Sequence, residues 1–321
     1  MHFSLRSYRA TATILLTLAL LTGCTPGVKQ PPRPNGIALA PDGSVYVMAL
    51  GNHRMVHLSP EGRFQGAFGK LGTEPANIYE GWGTALDPTG NIVLCHRLRD
   101  EAAGIDRESV KVFTPQGRLV REIIAPDGGS PENCLSVHVD PQGRIFMVNN
   151  SSNRVRVLDS QGELLSTLWG TTGAGPGEFL GLRDIAIDSE RGLLYASDAG
   201  NSRIQQFSLE TTPTGEISAT HRLTFGTYGR GPGKLAYPQY LAVDEATGQL
   251  AVGDMANRRI QIFDSDGRPL REFAPPGVED WQVMGLAFGS DGAVFAADAL
   301  NGVVWVFEPD GRLRQKMEVP S

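Results

Sequence analysis

Positive charge is scarce in this chain, with 29 Lys and Arg set against 35 Asp and Glu. That balance argues against nucleic-acid binding, which depends on clustered cations at phosphates. Long apolar runs are lacking too. The run Thr11 to Leu21 falls short of the roughly 20 residues that a helical membrane span needs. Phosphate-cradling loops are missing as well: Gly173-Ala-Gly175-Pro-Gly177 and Gly229-Arg-Gly231-Pro-Gly233 have no helical pattern after them, so both read as turns. Glycine and proline, by contrast, are plentiful. Thirty-nine Gly and 21 Pro without a collagen-like period imply many tight turns and an all-β chain of short strands. With 321 residues, 40% of them hydrophobic, the chain can bury a full core within one domain.

The N-terminus carries a processing pattern. Arg6 and Arg9 precede the apolar run, which ends in Leu21-Thr22-Gly23-Cys24, and small residues after a short apolar stretch are typical of a cleaved export signal. The four-residue ending resembles the bacterial lipoprotein box. That resemblance implies a signal peptide over 1–23 and lipidation of Cys24, with a plain secretory signal as the alternative. With Thr25 rather than Asp after the Cys, it further implies sorting to the outer membrane in a Gram-negative host. Without the leader, 27 basic residues face 35 acidic ones, a formal charge of −8. Residues 24–34, with four prolines, read as an extended tether that keeps the folded body close to the membrane.

From residue 35 to 321 the sequence repeats. Six segments align on a turn Gly at 43, 90, 143, 192, 248 and 292, with gaps of 47, 53, 49, 56 and 44 residues, a period that belongs to propeller blades. Each begins with an apolar tetrad such as Ile185-Ala-Ile-Asp188 or Leu241-Ala-Val-Asp244. A turn, a second apolar run, a polar loop, a third run, another turn and a final strand follow. Turns such as Pro41-Asp42-Gly43 and Pro309-Asp310-Gly311 put Pro where φ is fixed and Gly where φ is positive, as tight hairpins require. The predicted fold is therefore a six-bladed β-propeller of four-stranded antiparallel blades. Blades 1 and 6 each supply all four strands, so no strand exchange is expected at the closure.

The polar loops Asp198-Ala-Gly-Asn201-Ser-Arg203 and Asp254-Met-Ala-Asn257-Arg-Arg259, set between the second and third strands, resemble those of the NHL repeat. Asp298-Ala-Leu-Asn301 lacks the Arg, and blades 1 and 3 carry Ala49 and Asn149 in the Asp slot. Because these residues recur, they read as turn caps that tie blades together. Function is better sought where the repeats differ.

Blade 2 differs most. Cys95 to Ser109 reads as a lengthened loop, a common place for binding, and includes His96 in the Asp slot with Arg97 and Arg99 after it. Cys95 and Cys134 fall on one face at adjoining blades. Three readings stand: a disulfide in an oxidising compartment, a metal site of Cys95, His96 and Cys134, or two free thiols. His138 replaces an Ala found at this position of the other five repeats, on the innermost strand, where it could line the central channel. The loops joining blades bring Tyr79, Trp82, Phe179, Tyr228, Tyr237, Tyr240 and Trp281 to the face that holds the Asp-x-x-Asn loops, and aromatic side chains on such a face suit partner recognition.

These residues point to a lipid-anchored envelope protein, more a binding scaffold than an enzyme, that engages another envelope protein or an extracellular ligand and needs no cofactor. The alternative is a metal-dependent propeller lyase or hydrolase with its site at the channel mouth near blades 2 and 3, in which case a divalent metal is the cofactor. Resemblance to peptidyl-amidoglycolate lyases fails on the residues, because the loops Gly170 to Leu182 and Gly226 to Tyr240 hold no His. No axial metal or substrate set like those of sugar-lactone hydrolases or strictosidine-synthase-like propellers is evident either.

Overall fold

The structure is a computed structural model and describes residues 31–100, 104–124, 134–213 and 215–321. Cys24, the predicted signal peptide and residues 25–30 of the tether lie outside the described residues. Six four-stranded antiparallel sheets, each drawn from consecutive chain, confirm the propeller and its NHL-like blades. Blade 1 runs from Pro34 to Phe68 and blade 2 from Glu80 to Ile124; blades 3 and 4 span Cys134–Trp169 and Leu182–Phe225; blades 5 and 6 span Pro238–Phe273 and Val283–Glu318. The six innermost strands neighbour one another in a closed ring, first against second and sixth against first.

The core lies between blades. Each apolar cluster draws on two neighbouring sheets, as when Tyr195 of blade 4 meets Leu250 and Phe263 of blade 5. This explains strands that are apolar on both faces: a sheet sandwiched between two others has no wet side. As expected, no strand is exchanged at the closure. Instead Phe295, Val304 and Val306 of blade 6 pack with Val45, Val56 and Leu58 of blade 1, and Arg54 donates from Nη2 to the Pro320 carbonyl at 2.9 Å. Residues 31–33, assigned to the tether by sequence, are held against blade 1 by bonds from the Gly51 and Leu50 amides to the Pro32 and Arg33 carbonyls.

One local expectation fails. The stretch after Cys95 is not a loop but a two-stranded arm, Ile92–Asp100 paired with Ile105–Phe113 in unbroken register as far as Asp100 opposite Ile105. The register sets Arg97 opposite Glu108, and such opposite charges favour pairing. The strand runs four residues past His96, whereas its counterpart in blade 4 ends at Asp198.

Candidate functional site

The innermost strands share one slot, the residue just before the apolar tetrad, and its occupants split the ring in two. Blades 6, 1 and 2 carry Gly285, Gly36 and Gly83; blades 3, 4 and 5 carry Ser136, Asp184 and Tyr240. The glycines answer a close approach: a Cβ on Gly83 would sit 2.5 Å from the Ser136 Cα. Across the other half, polar side chains meet. Asp184 Oδ1 accepts from Ser136 Oγ at 2.6 Å, from His138 Nε2 at 2.7 Å and from the Ile185 amide at 2.9 Å. Its Oδ2 accepts the Leu241 amide of blade 5 at 2.8 Å. One buried carboxylate thus ties three inner strands.

His138 follows from this. Its Nε2 is spent on Asp184, whose side chain is 4% exposed, while the ring remains 26% exposed. Nε2 therefore carries the hydrogen in the neutral ring, and Nδ1 keeps its lone pair on the edge left open. An imidazole oriented by a buried carboxylate can take a proton at Nδ1 and hold it as an ion pair, the arrangement of a general base. Ser136 does not make this a serine nucleophile. It is buried, donates to the carboxylate, and shares Nε2 with Asp184 at 3.2 Å, whereas an activated Ser and its Asp bond opposite ring nitrogens.

Beside the pair, burial raises the Tyr240 phenol far above its ordinary pKa and the Asp184 charge adds to the shift, against opposition from Arg183. The phenol stays protonated and contacts Met284 Sδ at 3.7 Å. The Arg183 guanidinium lies 5.3 Å from the ring centroid of Tyr237 and bonds its hydroxyl. Asp184, Ser136 and Arg183 were not singled out by the sequence, and Tyr240, read there as an aromatic of the loop face, lies buried on the inner strand of blade 5. The available signal was the slot series Gly, Gly, Ser, Asp, Tyr, Gly, one residue upstream of the apolar tetrads.

The sequence-predicted residues fare unevenly. His138 stands on the innermost strand of blade 3 with its ring partly exposed. Cys95 and Cys134 are joined by a disulfide, which removes both thiolates from the proposed metal set. His96, its third member, is fully engaged: Nε2 accepts the Tyr79 amide at 3.1 Å and Nδ1 meets Ser109 Oγ at 3.2 Å. No group of three or more His, Cys, Asp or Glu suited to a metal occurs among the described residues. Arg97 is half-buried on the arm; the Arg99 side chain lies outside the description.

The aromatic face shrinks. Phe179 and Trp281 are core residues: Phe179 packs between Trp169 and Phe207, and Trp281 donates to the Arg258 carbonyl at 2.8 Å. Each lies under its own loop, where an apolar ring is removed from water. Tyr79, Trp82 and Tyr237 are half-buried, and Tyr228 is exposed. The recurring loop residues are scaffold, as read. Asp198 and Asp254 each accept a backbone amide from the preceding loop, and Arg203 and Arg259 bridge them to carbonyls 25 to 29 residues upstream.

A family profile described as a 6-bladed beta-propeller matches residues 137–225. Over 134 residues the chain is 26% identical to protein brain tumor of Drosophila melanogaster, covering 41% of this chain and 12% of that protein. It is also 26% identical over 156 residues to human NHL repeat-containing protein 3, covering 43% and 44%. The chain thus spans less than half the length of either relative. Among solved structures it resembles virginiamycin B lyase from Staphylococcus aureus, with TM-score 0.57 and 14% identity over 91% of this chain and 86% of that one. It also resembles a gluconolactonase from Xanthomonas campestris, with TM-score 0.61 and 16% identity over 86% of each chain, and hydrazine synthase of Kuenenia stuttgartiensis, with TM-score 0.55 and 15% identity over 90% and 99%. These likenesses show a shared fold and assign no reaction. The solved propellers named here are enzymes, which argues against the expectation that the chain is more a scaffold than an enzyme.

Proposed function

We propose that the protein is an exported propeller enzyme whose axial His138–Asp184 pair performs acid–base chemistry, as a lyase or hydrolase, on a small extracytoplasmic substrate. The carrying observation is the 2.7 Å contact between His138 Nε2 and buried Asp184, which leaves Nδ1 as the proton acceptor at a partly open edge. Arg183, on the inner strand beside Asp184, supplies positive charge for an anionic group or developing oxyanion. Enzymes among the solved propellers of similar fold support the class of function. The site lies on blades 3 and 4, and the reading rests on this pair rather than on a metal.

Two substrates probe it: glucono-δ-lactone for hydrolysis and quinupristin for ring opening. Turnover of either by the wild type, reduced about a hundredfold or more in His138→Ala with an unchanged melting temperature, is the expected result. Full turnover in that variant sinks the assignment.

Export and anchoring complete the proposal. The lipobox-like ending at Cys24 supports attachment to a bacterial envelope membrane, and a disulfide between Cys95 and Cys134 suits an oxidising compartment. Cys24→Ala should move the folded protein from the membrane to the soluble fraction; unchanged sedimentation with membranes refutes the anchor. Exposed Leu71, Leu180, Tyr228 and Leu300, on loops of the face at which the inner strands begin, favour docking of another envelope protein or a large substrate there.

A further inference from the structure

The gap between blades 2 and 3 is underfilled by comparison with the junction of blades 4 and 5. At the blade 4–5 junction, Tyr195 fills the interface and Gln206 reaches across it to the Ser265 carbonyl at 2.7 Å. Phe225 packs at a tilt against Phe263 behind them, with centroids 5.1 Å apart. The registers place Val93 and Val112 of blade 2 at the positions of Tyr195 and Gln206. Ile123 and Leu158 stand where Phe225 and Phe263 meet. Four large or reaching side chains are thus replaced by shorter aliphatic ones. A cavity of about 340 Å³ results, floored by Val93, Val112, Val120 and Ile145 and bounded by Arg121 and Ser160, a volume within the range of small-molecule pockets.

Arg121 makes this cavity selective. In blade 5 the equivalent Arg271 donates to Gln249 Oε1 at 2.7 Å. The residue matching Gln249 in blade 2 is Asn91, whose amide is spent on Asp87 and Thr89 at 3.0 and 2.8 Å. Arg121 is left with a buried, unpartnered Nε and no hydrogen bond or ion pair among the described residues. Asp87 also borders the space, but its carboxylate already accepts from Thr89 and Asn91. An unpaired guanidinium at the edge of an apolar cavity calls for an anion attached to an apolar body.

We propose that this inter-blade cavity binds a small amphipathic carboxylate, its apolar part against Val93 and Val112 and its carboxylate on Arg121. The site is separate from the axial pair and independent of the acid–base reading.

Octanoate titrated calorimetrically into the full chain carrying Cys24→Ala tests this, with 1-octanol as the uncharged counterpart. Expected are saturable one-to-one binding of octanoate, weakening of about ten- to a hundredfold in Arg121→Gln, and loss in Val112→Phe, which fills the floor. Should Val112→Phe fail to fold, the double change Val93→Tyr with Val112→Gln, copying blade 4, closes the same space with a pair the fold already accommodates. Absence of saturable octanoate binding, or binding unchanged in both the Arg121 and the cavity-filling variants, overturns the site. Octanol binding as tightly as octanoate overturns the carboxylate assignment.

Discussion

His96 accepts the backbone amide of Tyr79 at 3.1 Å in blade 2, as Asp198 accepts that of Leu180 at 2.8 Å in blade 4. Asp254 and Asp298 accept the corresponding amides of Ala236 and Gln282. A residue that stands out in the sequence as a break in the pattern thus performs the pattern's own task with different chemistry. Its Nδ1 then faces Ser109, whose hydroxyl donates to Glu122 Oε1 at 2.7 Å, so the imidazole is fixed as a neutral link in a buried chain.

His96→Ala should accordingly destabilise the protein by about 1–3 kcal/mol, the cost of stranding buried polar partners. His96→Asn, which keeps an acceptor, should lose less. Chemical denaturation of the two variants checks the order, and equal stability of His96→Ala and wild type would contradict the structural role. Neither change should alter the metal content of the purified protein.

The Cys95–Cys134 bond joins the second strand of blade 2 to the first strand of blade 3 across 39 residues of sequence, the strand that also carries Ser136 and His138. Loop-closure entropy for such a span corresponds to about 4 kcal/mol. The unreduced mature protein should show no titratable thiol at either position, and Cys95→Ser with Cys134→Ser should lower the unfolding free energy by up to that amount. Two reactive thiols in the native protein would refute the bond.

At the axis, stability and activity should separate. Asp184 bonds three blades from a buried position, so Asp184→Ala strands the Leu241 amide and Ser136 hydroxyl and should cost at least about 2 kcal/mol. His138 is partly exposed and bonds the carboxylate from one side, so His138→Gln should cost less than about 1 kcal/mol. Turnover should fall in both. A His138→Gln protein as unstable as Asp184→Ala would make His138 a structural residue and remove the ground for the acid–base reading.

The propeller was legible because its determinants are local and repeated: a Pro and Gly turn, an apolar tetrad and an Asp-x-x-Asn loop recur about every fifty residues, and each encodes its own hairpin. The Cys95–Cys134 pairing was legible as one of three readings from the same frame, which places the two residues on one face at adjoining blades. Asp184 was not, because one carboxylate on an inner strand looks like any turn residue until the ring closes and brings Ser136, His138 and Leu241 around it from sequence separations of 46 to 57 residues. Phe179 and Trp281 misled for a related reason: a loop aromatic reads as exposed until the fold shows its own loop lying over it.

Acid should weaken the first hairpin turn of blade 2 through Asp87, whose bonds run to Thr89 and Asn91. Burial would raise its pKa, but hydrogen bonds from Thr89 and Asn91 outweigh burial and hold the carboxyl below its ordinary 3.8. With the folded-state value depressed, the unfolded chain binds the proton first. The stabilisation is therefore fully present above the ordinary value and is lost as pH falls through the folded one. Asp87→Asn removes both the charge and this dependence. The stability gap between wild type and Asp87→Asn should be constant from neutral pH down to about pH 5 and should narrow progressively below 3.8. Urea melts of the two proteins at a series of pH values measure that gap directly. A gap that widens on acidification would mean that the carboxyl is raised in the folded state, and that its bonds to Thr89 and Asn91 do not prevail over burial.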